Sequence, residues 1–132
     1  MTRTYSVRLI ALTIGCGEKW VDNLLSHHTL AGVTQSRQGV ERRVSDEGLV
    51  IIAATRMLAA ELGMPLSKAV RVCTEAFRSR GVTDGAVVVG SGISVSIAFG
   101  AIESLLRARL VEAVETLGRV ARGRPRSPAA QE

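Results

Sequence analysis

The chain begins with two short helical patterns separated by glycines. Apolar residues recur at helical spacing over residues 7–14, and Ser6 before them is a residue type that caps helix N-termini. Gly15-Cys16-Gly17 ends this helix, because glycine adopts left-handed backbone angles at little cost. A second apolar stripe predicts a helix over residues 18–27. Two short helices joined by a glycine turn are typical of a helix-turn-helix.

The polar, turn-rich segment over residues 32–44 predicts a small β-hairpin with Gly39 at its tip. Such a hairpin would form a wing beside the second helix. It carries four side chains that can donate hydrogen bonds to DNA, namely Arg37, Gln38, Arg42 and Arg43. Because neighbouring strand residues point to opposite faces, at least one of the two adjacent arginines is expected to point away from DNA.

Two further helices follow the hairpin. Ser45 is the expected N-cap of the third helix, with two acidic residues in its first turn, where they stabilise the helix dipole. Gly63 ends this helix, and Pro65 starts a fourth, which runs to about Gly81. The third helix carries a stripe of Leu49, Ile52, Ala53, Arg56, Met57 and Ala60. The fourth is expected to bury Leu66, Ala69, Val70, Cys73 and Phe77.

The second half starts with eighteen uncharged residues, 85–102. This length is sufficient for a helix that spans a membrane. One membrane helix over residues 85–106 is therefore kept as a minor alternative to a hairpin. Apolar residues alternate with small or polar ones over residues 93–99, however, which is the period of a strand, and Gly90-Ser-Gly is a turn signal. We therefore predict a β-hairpin that pairs residues 86–89 with residues 93–99.

A last helix is predicted over residues 101–122, with an apolar stripe near heptad spacing and favourably spaced Glu103–Arg107 and Glu115–Arg119 pairs. A lone two-stranded hairpin is marginal in water, so the hairpin needs a partner surface. We expect a homodimer in which the hairpin and the last helix form the interface. Its residues would be Ile93, Val95, Ile97, Leu106, Leu110, Val114 and Leu117.

Composition and charge narrow the class of protein. The 132 residues are 46% hydrophobic with a net charge of +5, which suits one compact domain and permits a polyanionic partner. The basic excess lies in residues 1–80 and in the tail, and residues 123–132 are expected to be a basic disordered tail. Two cysteines and the lack of a leader pattern at the start indicate a cytoplasmic protein, associated with the nucleoid if it binds DNA.

The order of these elements resembles the MerR-type winged helix-turn-helix domain over about residues 5–77. The matching letters are Gly39 with Arg42 and Arg43, then Ser45-Asp46-Glu47, then Leu62-Gly63 with Leu66-Ser67. The resemblance implies DNA binding by the second helix and the wing. Asp22-Asn23-Leu24 stands where the family's recognition helix usually carries an arginine followed by paired aromatics. The family's main phosphate contact therefore has no counterpart here.

The candidate DNA-binding residues are Lys19, Asn23 and Ser26 on the second helix and Arg37, Gln38, Arg42 and Arg43 on the wing. Asparagine pairs bidentately with adenine, so Asn23 is assigned to a base edge. The wing arginines are assigned to the DNA backbone or the minor groove. Alternatively, Asn23 is a solvated or capping residue and the adjacent arginines form a solvated strand face.

The sequence shows no nucleotide loop, paired acids or nucleophile with a base, so an enzyme is not expected. Cysteine and histidine lack metal-ligand spacing, and no cofactor or metal is expected.

The predicted fold is mainly α with small β-hairpins: a winged helix-turn-helix over residues 1–80, then a dimerising β-hairpin and C-terminal helix over 81–122. The expected function is a dimeric transcriptional regulator that reads double-stranded DNA. The alternative is a protein-interaction module, antitoxin-like or an assembly component, whose hairpin and last helix bind another protein.

Overall fold

A computed structural model describes residues 3–34, 42–81 and 84–123, with side chains as far as residue 119. These ranges form five helices and two small antiparallel sheets, in agreement with the mainly helical class that the sequence predicts. In chain order the elements are β1 (Thr4–Tyr5), α1 (Val7–Ile14), α2 (Glu18–His27), β2 (Val33–Thr34), β3 (Arg43–Ser45), α3 (Asp46–Leu62), α4 (Leu66–Arg78), β4 (Asp84–Gly90), β5 (Ile93–Ala98) and α5 (Phe99–Gly123).

The first helix pair has the predicted bounds. The Leu9 amide donates to the Ser6 hydroxyl at 3.3 Å, which caps α1. Gly15 ends α1 in the left-handed conformation with φ of 83°, and Gly17 lies at the N-cap of α2. Buried residues of both helices face the core, so the remaining face of α2 lies at the surface.

The first sheet has the strand order β1-β3-β2. Val44 of β3 lies opposite Tyr5 on one side and opposite Val33 on the other. β2 and β3 are the arms of the predicted hairpin, whereas β1 was not expected, because two residues are too few to show a strand period. The predicted tip at Gly39 lies outside the described residues.

α3 is the central element of the core. Every residue from Gly48 to Thr55 is buried, so the helix lacks the single stripe that the sequence suggested, and Ala60 of that stripe is exposed. The reason is that α4, α5 and the first sheet pack around it. The predicted caps are confirmed, because the Gly48 amide lies 3.5 Å from the Ser45 hydroxyl and Gly63 is left-handed.

α4 begins one residue later and ends earlier than the sequence suggested. Pro65 is its N-cap, and the helix stops at Arg78, where the Ser79 hydroxyl donates to the Glu75 carbonyl at 3.0 Å. Its buried face contains four of the expected residues, with Leu66 half-buried, and adds Val72 and Ala76.

The uncharged segment forms the predicted β-hairpin, with β4 antiparallel to β5. Gly92 in its turn has φ of 78°, which favours glycine. The strand ends at Ala98, so Phe99 starts α5 instead of closing the hairpin. Within the described residues, none of the helices combines the length and the apolar character needed to cross a bilayer.

One continuous core joins the two halves of the chain. The Phe99 ring meets the Phe77 ring edge to face, with centroids 5.2 Å apart. α5 packs on α1 and α3, and β4 packs on α4. The core is therefore continuous across the predicted boundary near residue 80.

Candidate nucleic-acid interface

The exposed face of α2 carries the polar residues that the sequence singled out. Lys19, Asn23 and Ser26 are all exposed and share this face, because they are separated by four and three residues. Val21, Leu24 and Leu25 on the opposite face are buried and fix the helix to the core. The exposed face is therefore held in one orientation.

Arg42 connects the base of the hairpin to this face of α2. Its Nη2 donates to the Ser26 hydroxyl at 3.2 Å, and its Nη1 lies 3.5 Å from Asp22 Oδ1. The Arg42 side chain is 22% exposed and that of Asp22 is 52% exposed. Among the described residues this is the one ion pair, and it makes the hairpin base and α2 one contiguous surface.

Arg43 is directed to the other side of the hairpin. Its Nε donates to the Thr4 hydroxyl at 3.3 Å, and its Nη2 lies 3.5 Å from the Thr4 carbonyl oxygen. The two adjacent arginines thus diverge, as strand geometry requires. Arg42 reaches α2, and Arg43 spans the sheet to β1. The other two candidate wing residues, Arg37 and Gln38, lie outside the described residues.

Arg56 ties α2 to the central helix. Its guanidinium lies 4.9 Å from the centroid of the Trp20 ring, a distance at which a cation–π attraction operates. The sequence placed Arg56 on the α3 stripe without indicating its partner, because the contact depends on how the two helices cross. This contact adds to the apolar packing that orients α2.

The candidate dimerisation residues fall into three classes. Ile97 and Leu106 are buried in the chain's own core, and Val95, Leu110 and Leu117 are half-buried. Ile93 and Val114 are 61% and 53% exposed. Two exposed valines were not predicted from the sequence: Val88 is 77% exposed near the hairpin turn, and Val111 is 61% exposed on α5. The helical spacing of Val111 and Val114 was the available signal.

The thiols sit in apolar or partly buried surroundings. Burial raises the pKa of Cys73 to about 11, which keeps that thiol protonated, and burial also raises the pKa of the half-buried Cys16. In the part of the chain that the structure describes, no three residues among His, Cys, Asp and Glu are grouped as metal ligands would be.

Comparisons with known proteins return no match to a family model, a curated protein or a solved structure. The polar face of α2, joined to the hairpin base through Arg42, is the surface that brings together four of the candidate residues, Lys19, Asn23, Ser26 and Arg42.

Proposed function

We propose that this chain is a small DNA-binding protein that acts as a dimeric transcriptional regulator. α2 would lie in the major groove, and the hairpin would contact the adjacent backbone. The observation that carries the proposal is the contact of Arg42 with Ser26 and Asp22, since it places a guanidinium at the margin of a polar, rigidly held helix face. Such faces present their side chains to base edges.

The chemistry of the α2 face supports this proposal. Lys19 is a cation in the first turn of α2 and can contact a phosphate. Asn23, one turn further on, can donate to and accept from adenine. Asp22 would repel phosphate, but its pairing with Arg42 offsets its charge and directs the guanidinium toward the helix.

A second copy would bind through the exposed side of α5. Val111 and Val114 are apolar, exposed and three residues apart, so they form a patch on one helix face. A dimer would cover this patch and would present two α2 helices to one duplex, which raises affinity without further contacts.

The two lysines of the chain provide a matched test, because Lys19 lies on α2, Lys68 lies on α4, and both are exposed. We expect Lys19→Gln to weaken binding to a mixed-sequence duplex. The slope of log K against log salt should become less steep by about 0.9, which is the value for one lost phosphate contact. Lys68→Gln should leave the slope unchanged. Fluorescence anisotropy over a salt series measures both.

Equal slopes for the wild type and both variants would contradict the assignment of α2. If no duplex binds even at low salt, the protein-interaction alternative takes precedence, and the exposed Val88 and Ile93 of the hairpin become its first candidate contacts.

A further inference from the structure

A cavity in the described part of the chain lies away from the α2 face, between the start of the chain, the first turns of α3 and the first half of α5. Its volume is about 360 Å³, at the small end of the range for pockets that hold organic ligands. Its inner wall is aliphatic and consists of Leu49, Val50, Leu106 and Leu110, of which the first three are buried. This wall would accommodate the apolar part of a ligand.

Charged side chains of both signs surround this aliphatic wall. Arg3 and Arg107 supply two guanidinium groups, and Asp46 and Glu103 supply two carboxylates. In the described ranges these four groups make no ion pair within 4 Å, although Glu103 and Arg107 are one helical turn apart and were expected to pair. The cavity thus carries groups of both signs, and the two on α5, Glu103 and Arg107, are not paired with each other.

The Tyr5 hydroxyl fixes one side of the cavity by donating to Asp46 Oδ1. Burial, followed by the hydrogen bond to Asp46, raises the pKa of the Tyr5 hydroxyl above its ordinary value, so it remains a donor. Asp46 is therefore engaged within the chain, and Glu103 is the carboxylate that is available to a cationic group.

We infer that this cavity binds a small zwitterion built like an apolar α-amino acid. Arg107, with Arg3, would bind the carboxylate, because guanidinium forks match carboxylate geometry. Glu103 would bind the ammonium group, and the apolar side chain would contact the aliphatic wall. A simple organic anion would leave the Glu103 carboxylate without a cationic partner, and a simple cation would leave the Arg107 guanidinium without an anionic one, so each is disfavoured.

Three related compounds test this inference without DNA, so the result does not depend on the proposed function. L-Phenylalanine carries both charges, 3-phenylpropionate lacks the ammonium group, and 2-phenylethylamine lacks the carboxylate. In ¹H–¹⁵N spectra of the full chain we expect L-phenylalanine to shift signals around the cavity saturably, with a Kd of about 1 mM or below. The two analogues should bind about tenfold more weakly or worse.

Variants on α5 separate the two charged contacts. Glu103→Gln should weaken the binding of L-phenylalanine and strengthen that of 3-phenylpropionate, since it removes a carboxylate that repels the anion, whereas Arg107→Gln should weaken both. Glu112→Gln and Arg119→Gln are the matched controls, since both residues are exposed on the same helix and outside the cavity.

These α5 residues are exposed, so the variants are expected to fold, and circular dichroism checks this. The absence of saturable binding by L-phenylalanine would overturn the inference. Equal affinity for 3-phenylpropionate, or equal effects of the control variants, would overturn it as well.

Discussion

Arg42 and Asp22 form an ion pair that has two opposite consequences for the α2 surface. The pair holds the hairpin base against α2, but Asp22 also places a negative charge on the face assigned to DNA. Sequence reasoning identified Arg42 as a hairpin arginine and Asp22 only as a helix residue. It could not place them together, because their contact depends on how the hairpin base packs against α2, which local sequence patterns do not encode.

Replacing Asp22 by asparagine removes this negative charge while keeping the shape of the side chain. We expect D22N to bind duplex DNA more tightly, because it removes repulsion of phosphate and frees the Arg42 guanidinium for a phosphate contact. The plot of log K against log salt should become steeper by about 0.9, the value for one added contact. Anisotropy titrations measure the slope. Glu75→Gln on α4 is the control, because it removes one carboxylate away from the α2 face and should leave the slope nearly unchanged. Weaker binding by D22N would show that Arg42 acts only through its pairing with Asp22.

At the scale of elements, local signals predicted the helices and the hairpin well. Ser6, Ser45 and the glycines at 15 and 63 mark helix ends through their own backbone and side-chain preferences, and the structure confirms them. Three features were missed. Two of them depend on distant parts of the chain, because β1 is defined only by its pairing with β3 and residues 48–55 of α3 are buried by other elements. The third, the early end of α4, follows from the contacts of the Ser79 hydroxyl.

The contact of the second hairpin with α4 is testable at Gly85. A Cβ at this position would collide with the backbone carbonyl oxygen of Ala76, so Gly85→Ala must push β4 away from α4. We expect it to lower the free energy of unfolding by about 1–3 kcal/mol, as overpacking does. Gly90→Ala on the same strand is the control, because nothing lies within 4 Å of its added Cβ. Urea denaturation measures both, and equal midpoints would contradict the close packing of β4 on α4.

At the scale of the whole molecule, one continuous core includes residues from both predicted segments, 1–80 and 81–122. Phe99 and Leu106 belong to this core, which explains why Leu106 is not available at the surface. The heptad-like spacing on α5 could not distinguish packing within the chain from packing between copies, since both bury an aliphatic stripe. In the structure Val111 and Val114 are apolar residues of α5 that the chain's own core leaves more than half exposed, so the proposed interface is tested there.

The dimer is tested by placing a charge on the exposed side of α5. Val114→Glu would place a carboxylate in the proposed interface and should shift the protein to monomer, while the exposed position preserves the fold. Sedimentation velocity over a concentration series measures the shift. Thr29→Glu, at an exposed position after α2, is a control that should leave the dimer intact. A wild-type chain that sediments as a monomer at all concentrations would contradict the dimer.

The central claim is that α2 and the hairpin base contact DNA. Its most direct test is a ¹H–¹⁵N titration of the full chain with a mixed-sequence duplex at about 50 mM salt, where electrostatic binding is strong. The account predicts that amide signals of residues 18–27 and 42–45 shift or broaden, and that signals of α4 and the second hairpin do not. Changes confined to the second hairpin and α5, or no change at all, would contradict it.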